Sequence, residues 1–343
     1  MLRQVCAYNR RTIRQGQFMK ISSHIEEWEL IQPFRISGVE WTLARSLVVQ
    51  IAQDGFLGRG EAQGVYYLGE TAESINEQVQ SIIAEVRRGI SKQGLQKLLP
   101  PGGARNALDC ALWDLECKRC GKTIWQLTGV NPGPVTTVFT IGLESTAEAM
   151  AEKARAAINS PILKIKLDGH IPIEKLAAIR AARPDAQLVV DANQGWSFEQ
   201  LKSVLPACAE LGLTMLEQPL PRGADAVLEG FASPVPLCAD ESCLHSGELD
   251  TAARRYSMIN IKLDKTGGLT EALLLARAAR AKGCQLMVGN MAGTSLSMAP
   301  SFVIAQLCDF VDIDGPLLLK YDHPLGLQYH RGRVEVFDSR FWG

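Results

Sequence analysis

Residues 162–167 read ILKIKL, residues 188–191 LVVD, residues 214–217 TMLE and residues 258–262 MINIK. Each is a short run rich in β-formers with a charged side chain at or next to its end. Runs of the same kind recur at Thr137–Ile141, Leu237–Asp240, Leu286–Gly289 and Phe310–Asp314. From Lys166 onward the strand ends (Lys166, Asp191, Glu217, Asp240, Lys262, Gly289, Asp314) follow one another at intervals of 22 to 27 residues. Ala- and Leu-rich helical patterns fill the gaps, as in Ile173–Ala182, Phe198–Leu211 and Thr270–Lys282. Eight strands alternating with helices at one period predict an α/β fold, a (β/α)8 barrel over residues 131–325. The segment after Asp314 carries only a weak helical pattern.

Upstream the rhythm differs. Lys20–Leu30, Ser46–Gln53 and Phe56–Glu61 read as strands, with Asp54-Gly55 as a turn. Ser74–Arg87 and Ala104–Lys118 have helical spacing, the second with Ala107, Leu108, Ala111, Leu112 and Leu115 on one stripe and Gly121 as its stop. Strands followed by helices predict an α+β domain over residues 19–130. A last strand-like run, Arg333–Phe337, predicts that residues 326–343 return to it. Residues 1–18 carry Arg3, Arg10, Arg11 and Arg14 and no acid. They read as an extension ahead of a start at Met19 rather than as a targeting segment, because they lack Ser and a clear apolar face.

Of the 343 residues, 36 are Lys or Arg and 37 are Asp or Glu, a net charge of −1. That balance gives no electrostatic footing for nucleic acid or an anionic membrane. No apolar stretch reaches the length of a spanning helix. The composition, 46% hydrophobic and 21% charged, is that of a globular protein rather than a disordered one. Nine cysteines, an odd scatter, read as reduced thiols of a cytoplasmic protein; Cys117 and Cys120 form a lone C-x-x-C that reads as coincidence within a helix. The count leaves a homo-oligomer open.

In a barrel of this kind the chemistry lies at the C-terminal strand ends. Strand alternation puts Lys164 and Lys166 on one face, and likewise Asp312 and Asp314, with Ile165 and Ile313 turned to the helices. Inward charges at a barrel mouth cost several kcal/mol each unless paired. A ring of structural ion pairs would account for one or two such ends, less readily for six. Asp191, Glu217 and Asp240 end three consecutive strands and converge; three carboxylates without His or Cys favour a hard cation, Mg²⁺ first and Mn²⁺ second. Lys166 and Lys262 come from strands four apart in a ring of eight and face each other across it. Crowding by Lys164, a nearby cation and burial are expected to depress their pKa values toward those of working bases. Two opposed bases beside a metal suit 1,1-proton transfer: one lysine removes the α-proton of a carboxylate, the other protonates the opposite face of the enediolate.

The stretches Lys164-Ile165-Lys166, Asp191-Ala192-Asn193-Gln194-Gly195-Trp196, Glu217-Gln218-Pro219, Ala239-Asp240-Glu241-Ser242 and Asn260-Ile261-Lys262 resemble those of the enolase superfamily, in its muconate-lactonising-type subgroup. The likeness runs from about Met19 to the C-terminus and includes Gly60-Glu61-Ala62 and Ala104-Arg105-Asn106-Ala107-Leu108-Asp109. It implies a capping domain over the barrel mouth, Mg²⁺ on Asp191, Glu217 and Asp240, acid/base roles for Lys166 and Lys262, and Lys164 as an auxiliary lysine that contacts the substrate carboxylate. Asp312-Ile313-Asp314 is similar to the Asp-x-Asp with which dipeptide epimerases hold the substrate's ammonium group; two carboxylates make a strong cation site. The resemblance thus implies a small-molecule dipeptide as partner, L-Ala-D/L-Glu first, and a place in murein peptide recycling. In Ala-Glu enzymes a cation of a capping loop meets the glutamyl side chain. The matching region is 35–45, where Arg35 is the candidate and serves equally as an ordinary surface residue; Arg45 falls toward the next strand, and Glu40, if turned inward, would disfavour an acidic side chain. Tyr66 and Tyr67 are candidate pocket walls, or half-buried packing.

Other readings keep the fold. A cycloisomerase, an o-succinylbenzoate synthase or an N-acylamino acid racemase would use the same metal and lysines, but their substrates lack the ammonium that Asp312 and Asp314 suit. A Schiff-base aldolase leaves the carboxylate trio unexplained, and a non-catalytic binder has no need of opposed lysines. No P-loop, H-E-x-x-H or nucleophile elbow is present.

Overall fold

The computed structural model describes residues 18–36 and 38–343. The extension expected at 1–18 lies outside them but for Phe18. β1 (Lys20–Ile36), β2 (Val39–Gln53) and β3 (Phe56–Ala62) form an antiparallel sheet in that order. Asp54 and Gly55 make the β2–β3 turn with φ of +55° and +84°. Positive φ at both positions is what a two-residue type I′ hairpin needs, and Asp-Gly supplies it at little cost.

The stretch 35–45, expected as a loop, is a two-stranded arm. β1 and β2 stay paired to its tip, Phe34 with Trp41, Arg35 with Glu40 and Ile36 with Val39. The register shifts between Glu29 and Phe34. Pro33 sits in that gap, where its missing N–H leaves no ladder bond unmade. The arm reaches the barrel, because Leu143 N donates to Arg35 O at 2.9 Å.

Five helices follow: α1 (Ala72–Ser81), α2 (Ile83–Arg87), α3 (Lys92–Leu98), α4 (Gly103–Cys120) and α5 (Ile124–Thr128). The single helix expected over 74–87 is α1 and α2, broken at Ile82, which leaves helical geometry at φ −113° and ψ 13°. α4 packs its stripe of Ala107, Leu108 and Ala111 with Leu47, Val49 and Ile51 of the sheet. It comes so close that a Cβ on Gly60 would stand 2.1 Å from Ala107 O. Only glycine allows that approach. Cys117 and Cys120 both lie in α4, their thiols free.

The barrel follows. Its elements are β4 (Val135–Thr136), β5 (Phe139–Ile141), α6 (Ala147–Ala156), β6 (Ile162–Lys166), α7 (Pro172–Ala182), β7 (Gln187–Asp191), α8 (Phe198–Glu210), β8 (Leu213–Glu217), β9 (Leu237–Ala239), α9 (Leu249–Arg255), β10 (Met258–Lys262), α10 (Leu263–Thr266), α11 (Leu269–Ala281), β11 (Gln285–Gly289), α12 (Ser295–Ala305) and β12 (Phe310–Val311). Strands β5 to β12 form one parallel eight-stranded sheet in sequence order. Its two edges meet where Val138 N donates to Val311 O at 2.9 Å and Ile313 N to Thr137 Oγ1 at 3.1 Å. After Asp314 the chain makes a single 3₁₀ turn, Gly315–Leu318.

Side-chain alternation sorts the strands into an outer and an inner set. Ile165, Val190, Leu216, Ala239, Ile261 and Val288 face the helices in the large core. Val138, Val189, Met215, Cys238, Met258, Met287 and Phe310 fill the barrel interior, with Ile162 against them. Two residues further along, each strand points the same way again. There the interior turns polar: Thr140, Lys164, Asp191, Glu217, Asp240, Asn260, Gly289 and Asp312. The apolar layer is the floor under the charged one.

β13 (Tyr329–His330) and β14 (Arg333–Val334) close the chain. The strand expected over 333–337 is the two residues of β14, and it pairs with β4 rather than with the first sheet. The tail reaches the first unit by other bonds: Trp342 Nε1 to Arg59 O at 3.0 Å and Gly343 N to Asp114 Oδ1 at 2.9 Å. No described helix is long and apolar enough to cross a membrane.

Candidate active site

The charged layer is a packed network. Lys164, 1% exposed, is its hub: its Nζ lies 2.7 Å from Asp312 Oδ2, 2.7 Å from Glu217 Oε2 and 3.2 Å from Asp191 Oδ2. Lys166 Nζ donates to Asp191 Oδ2 at 2.6 Å and Lys262 Nζ to Asp240 Oδ2 at 2.6 Å. Asp312 Oδ1 also accepts from Asn290 Nδ2 at 3.0 Å. Asp314 Oδ2 accepts from Thr140 N at 2.7 Å, tying the last strand to the first.

These neighbours set the ionisation. Burial raises Asp191, but Lys166 and Lys164 outweigh it and bring its pKa to about 2. Burial likewise opposes ionisation of Asp240, and Lys262 and Lys265 reverse it, leaving Asp240 below the carboxylate range. Glu217 goes the other way, raised by burial and then by Asp191. For Lys262 burial favours the neutral amine, yet Asp240 and Glu217 push harder and hold the ammonium above the ordinary lysine range. The depression expected from the sequence is therefore absent at Lys262. The near field of the carboxylates exceeds that of Lys164. Burial and Asp312 raise Asp314 to about 7.

Above the network is a cavity of about 380 Å³. Lys166 and Lys262 line it, with Asn193, Asn290 and Met291 from the barrel loops. Its far wall is apolar and aromatic, with Phe34, Ile36 and Trp41 of the arm and Tyr66. Trp41 meets Tyr66 edge to face at 5.2 Å, and Tyr66 meets Tyr67 at 5.1 Å. Arg45 also lines the wall, in β2, with Glu27 and Glu73 on its guanidinium. Arg35 is exposed, paired with Glu40, and not among the lining residues; Glu40 is exposed too. Lys164, Asp312 and Asp314 lie beneath the cavity, nearly inaccessible to solvent.

Four further residues hold the network together. Asn260 Nδ2 donates to Glu217 Oε1 at 2.6 Å. Its position two before Lys262 already put it on the inner face, so alternation could have revealed it. Lys265 Nζ donates to Asp240 Oδ1 at 2.7 Å; nothing in the sequence marks it, since it follows the strand. Gln218 Oε1 accepts from Asp240 N at 3.0 Å and Ser242 N at 3.1 Å, fixing the strand end that carries Asp240. A Cβ on Gly289 would stand 2.8 Å from Lys262 Cε, so this glycine makes the space in which Lys262 lies. With Lys265 the cluster holds four ammonium groups against the five carboxylates named from the sequence.

Asp191, Glu217 and Asp240 adjoin one another, but among the described residues no three carboxylate, imidazole or thiol groups form a ready ligand set. Their oxygens turn instead to ammonium and amide donors. The chemistry still fits a hard divalent cation. Glu217 Oε2, Glu241 Oε2 and Asn193 Oδ1 are buried without a hydrogen-bond donor, Glu217 Oε2 having Lys164 near but out of line. Oxygen atoms in that state are costly to bury unless a cation meets them.

Residues 20–129 match the family model for the mandelate racemase / muconate lactonizing enzyme N-terminal domain, and residues 147–339 the enolase C-terminal domain-like model. The chain is 43% identical over 314 residues to the L-Ala-D/L-Glu epimerase of Escherichia coli strain K12, covering 91% of this chain and 98% of the relative. The crystal structure of an Agrobacterium tumefaciens enolase family member with homology to dipeptide epimerases, with bound sodium and L-Ala-L-Glu, superposes at a TM-score of 0.92 and 40% identity, covering 95% of this chain and 100% of that one. The dipeptide epimerase of Methylococcus capsulatus, complexed with Mg and L-Arg-D-Lys, superposes at 0.87 and 29% identity, covering 94% and 98%.

Proposed function

We infer the activity from one premise: this chain belongs to the enolase superfamily, in its mandelate racemase and muconate-lactonizing branch. It is a Mg²⁺-dependent dipeptide epimerase that inverts the α-carbon of the C-terminal residue. The observation that carries this reading is that Lys166 and Lys262, from β6 and β10, line one cavity over three buried carboxylates.

Asp191, Glu217 and Asp240 would hold the cation, with Mn²⁺ as a substitute. When bound, Mg²⁺ supplies positive charge against the carboxylate of the substrate, where negative charge gathers as the α-proton leaves. Lys166 and Lys262 flank that carbon, one removing its proton and the other delivering a proton to the opposite face. In the direction in which Lys166 is the base, Lys262 is the donor. Asp312 and Asp314, directly beneath the cavity, would hold the ammonium of the dipeptide once it reaches down to them, with Lys164 neutralising the charge around them. Tyr66 and the aromatic wall exclude water from the carbanion.

L-Ala-D/L-Glu is the leading substrate, in cytoplasmic murein peptide recycling. Arg45, which is exposed as Arg35 is but lines the cavity, is the cation that meets a glutamyl carboxylate, in exchange for Glu73. Arg45→Ala is expected to raise KM for L-Ala-L-Glu about tenfold or more, the worth of one charge-assisted hydrogen bond. KM for L-Ala-L-Leu should be unmoved, and Arg35→Ala should change neither, as steady-state assays would show. The activity itself is tested by incubating dipeptides in D₂O with and without Mg²⁺ and weighing the products. Mg²⁺-dependent α-deuteration of L-Ala-L-Glu is expected; its absence with every dipeptide overturns the reading.

A further inference from the structure

Among the described lysines of the barrel mouth, Lys265 alone neither moves a proton nor meets Asp312, where the ammonium of the dipeptide would sit. It does not line the cavity, and its side chain is 0% exposed. A buried ammonium costs several kcal/mol unless a partner compensates it, so its contacts identify its use. Lys265 Nζ donates to Asp240 Oδ1 at 2.7 Å and to the Asp240 carbonyl at 2.6 Å. Lys262 takes the other carboxylate oxygen, Oδ2, at 2.6 Å. Asp240 is thus gripped by two lysines, one on each oxygen, and by Lys265 at its backbone as well.

The local fold explains the pair. Lys262 ends β10 and caps α10, which is a single turn. Residues three apart on one turn lie on the same side, so Lys262 and Lys265 both face Asp240. A lone turn has no stability of its own, and the capping domain fixes it from the other side. Asp264 Oδ1 accepts from Gln63 N at 3.0 Å and Asn106 Nδ2 at 3.3 Å. Arg105 donates to Thr266 O at 2.6 Å and Gly267 O at 3.1 Å.

We propose that Lys265 is a positioning residue that immobilises Asp240 by its Oδ1 and carbonyl, so that Oδ2, shared with Lys262, is the oxygen that would be left for the divalent cation. This rests on the reading of Asp240 as a cation ligand, but not on the identity of the substrate.

The sign of one measurement separates positioning from mere charge. Removing a neighbouring positive charge would by itself tighten cation binding. Releasing Asp240 to turn both oxygens onto Lys262 would weaken it. The test is titration calorimetry of Mg²⁺ into the full chain without dipeptide, for the wild type, Lys265→Met, Lys265→Gln and Lys265→Arg. Lys265→Met is expected to weaken Mg²⁺ about 10–100-fold, the usual effect of losing a group that orients a ligand. Lys265→Arg and Lys265→Gln, which still donate to Asp240, should restore most of it. With a dipeptide the Met variant should lose kcat at saturating Mg²⁺ while KM for the dipeptide holds. Unchanged or tighter Mg²⁺ binding by Lys265→Met overturns the proposal. Should that variant fail to fold, Lys265→Ala, which also lacks a donor, takes its place, and unchanged or tighter binding by it overturns the proposal equally. Neither result depends on turnover, so an enzyme inactive on dipeptides that still loses Mg²⁺ in Lys265→Met would sink the epimerase reading alone.

Discussion

Lys166→Ala and Lys262→Ala are each expected to lower epimerisation by about 10³-fold or more, within the range a positioned acid or base contributes. Each should nonetheless spare half of the exchange chemistry. β6 and β10 stand four apart in the eight-stranded order, so each lysine reaches one face of the α-carbon. With Lys262 removed, Lys166 can still take and return the proton of the epimer whose C–H bond faces it. In D₂O that epimer would gain deuterium with its configuration kept, and the other epimer would not. Lys166→Ala should show the reverse. Proton NMR of each pure epimer with each variant reads this directly. Exchange of the same epimer by both variants would mean that the lysines do not work from opposite faces. Full epimerisation by either would remove it from the reaction.

The double replacement of Asp312 and Asp314 by Asn is the second large effect. Charged hydrogen bonds to the dipeptide ammonium are worth about 1.5–3 kcal/mol each, so KM for free dipeptides should rise about 10²-fold or more while kcat changes little. An N-acetyl dipeptide, which has no ammonium, should be indifferent to the change; an equal loss on both substrates would remove the role. The wild type should show the same site through pH. Burial and Asp312 raise Asp314 to about 7, and the ionised form is the one that attracts ammonium. KM for free dipeptides should therefore climb as pH falls from about 8 to about 6, and Asp314→Asn should flatten that slope. Stability runs in the opposite sense. A carboxyl that holds its proton more tightly folded than unfolded contributes stability at low pH, which is lost as pH rises from the ordinary aspartate value of 3.8 through about 7.

Strand alternation made most of the site legible. A β-run that ends LKIK or DID can put both charges inward only if the residue between them faces the helices, and Ile165 and Ile313 do. What alternation cannot reach is whatever follows a strand or comes from another part of the chain. Lys265 is set by how a one-turn helix leaves β10. Arg45, itself exposed, reaches the cavity wall while Arg35 does not, and that depends on how β1 and β2 pair out to the tip. The register shift around Pro33 moves that phase, and it depends on the partner strand.

By itself the sequence determined the barrel, its strand ends and the facing lysines, because period-2 alternation and a regular strand spacing are local properties. Tertiary structure alone decided which oxygen of each carboxylate is engaged, which groups lie just below the cavity, and the ionisation of Lys262. Those depend on distances between residues far apart in the chain, such as Lys164 and Asp312, or Lys262 and Asp240. Electrostatic energy varies steeply with such distances at a buried site. A count of charges along the chain holds no record of them.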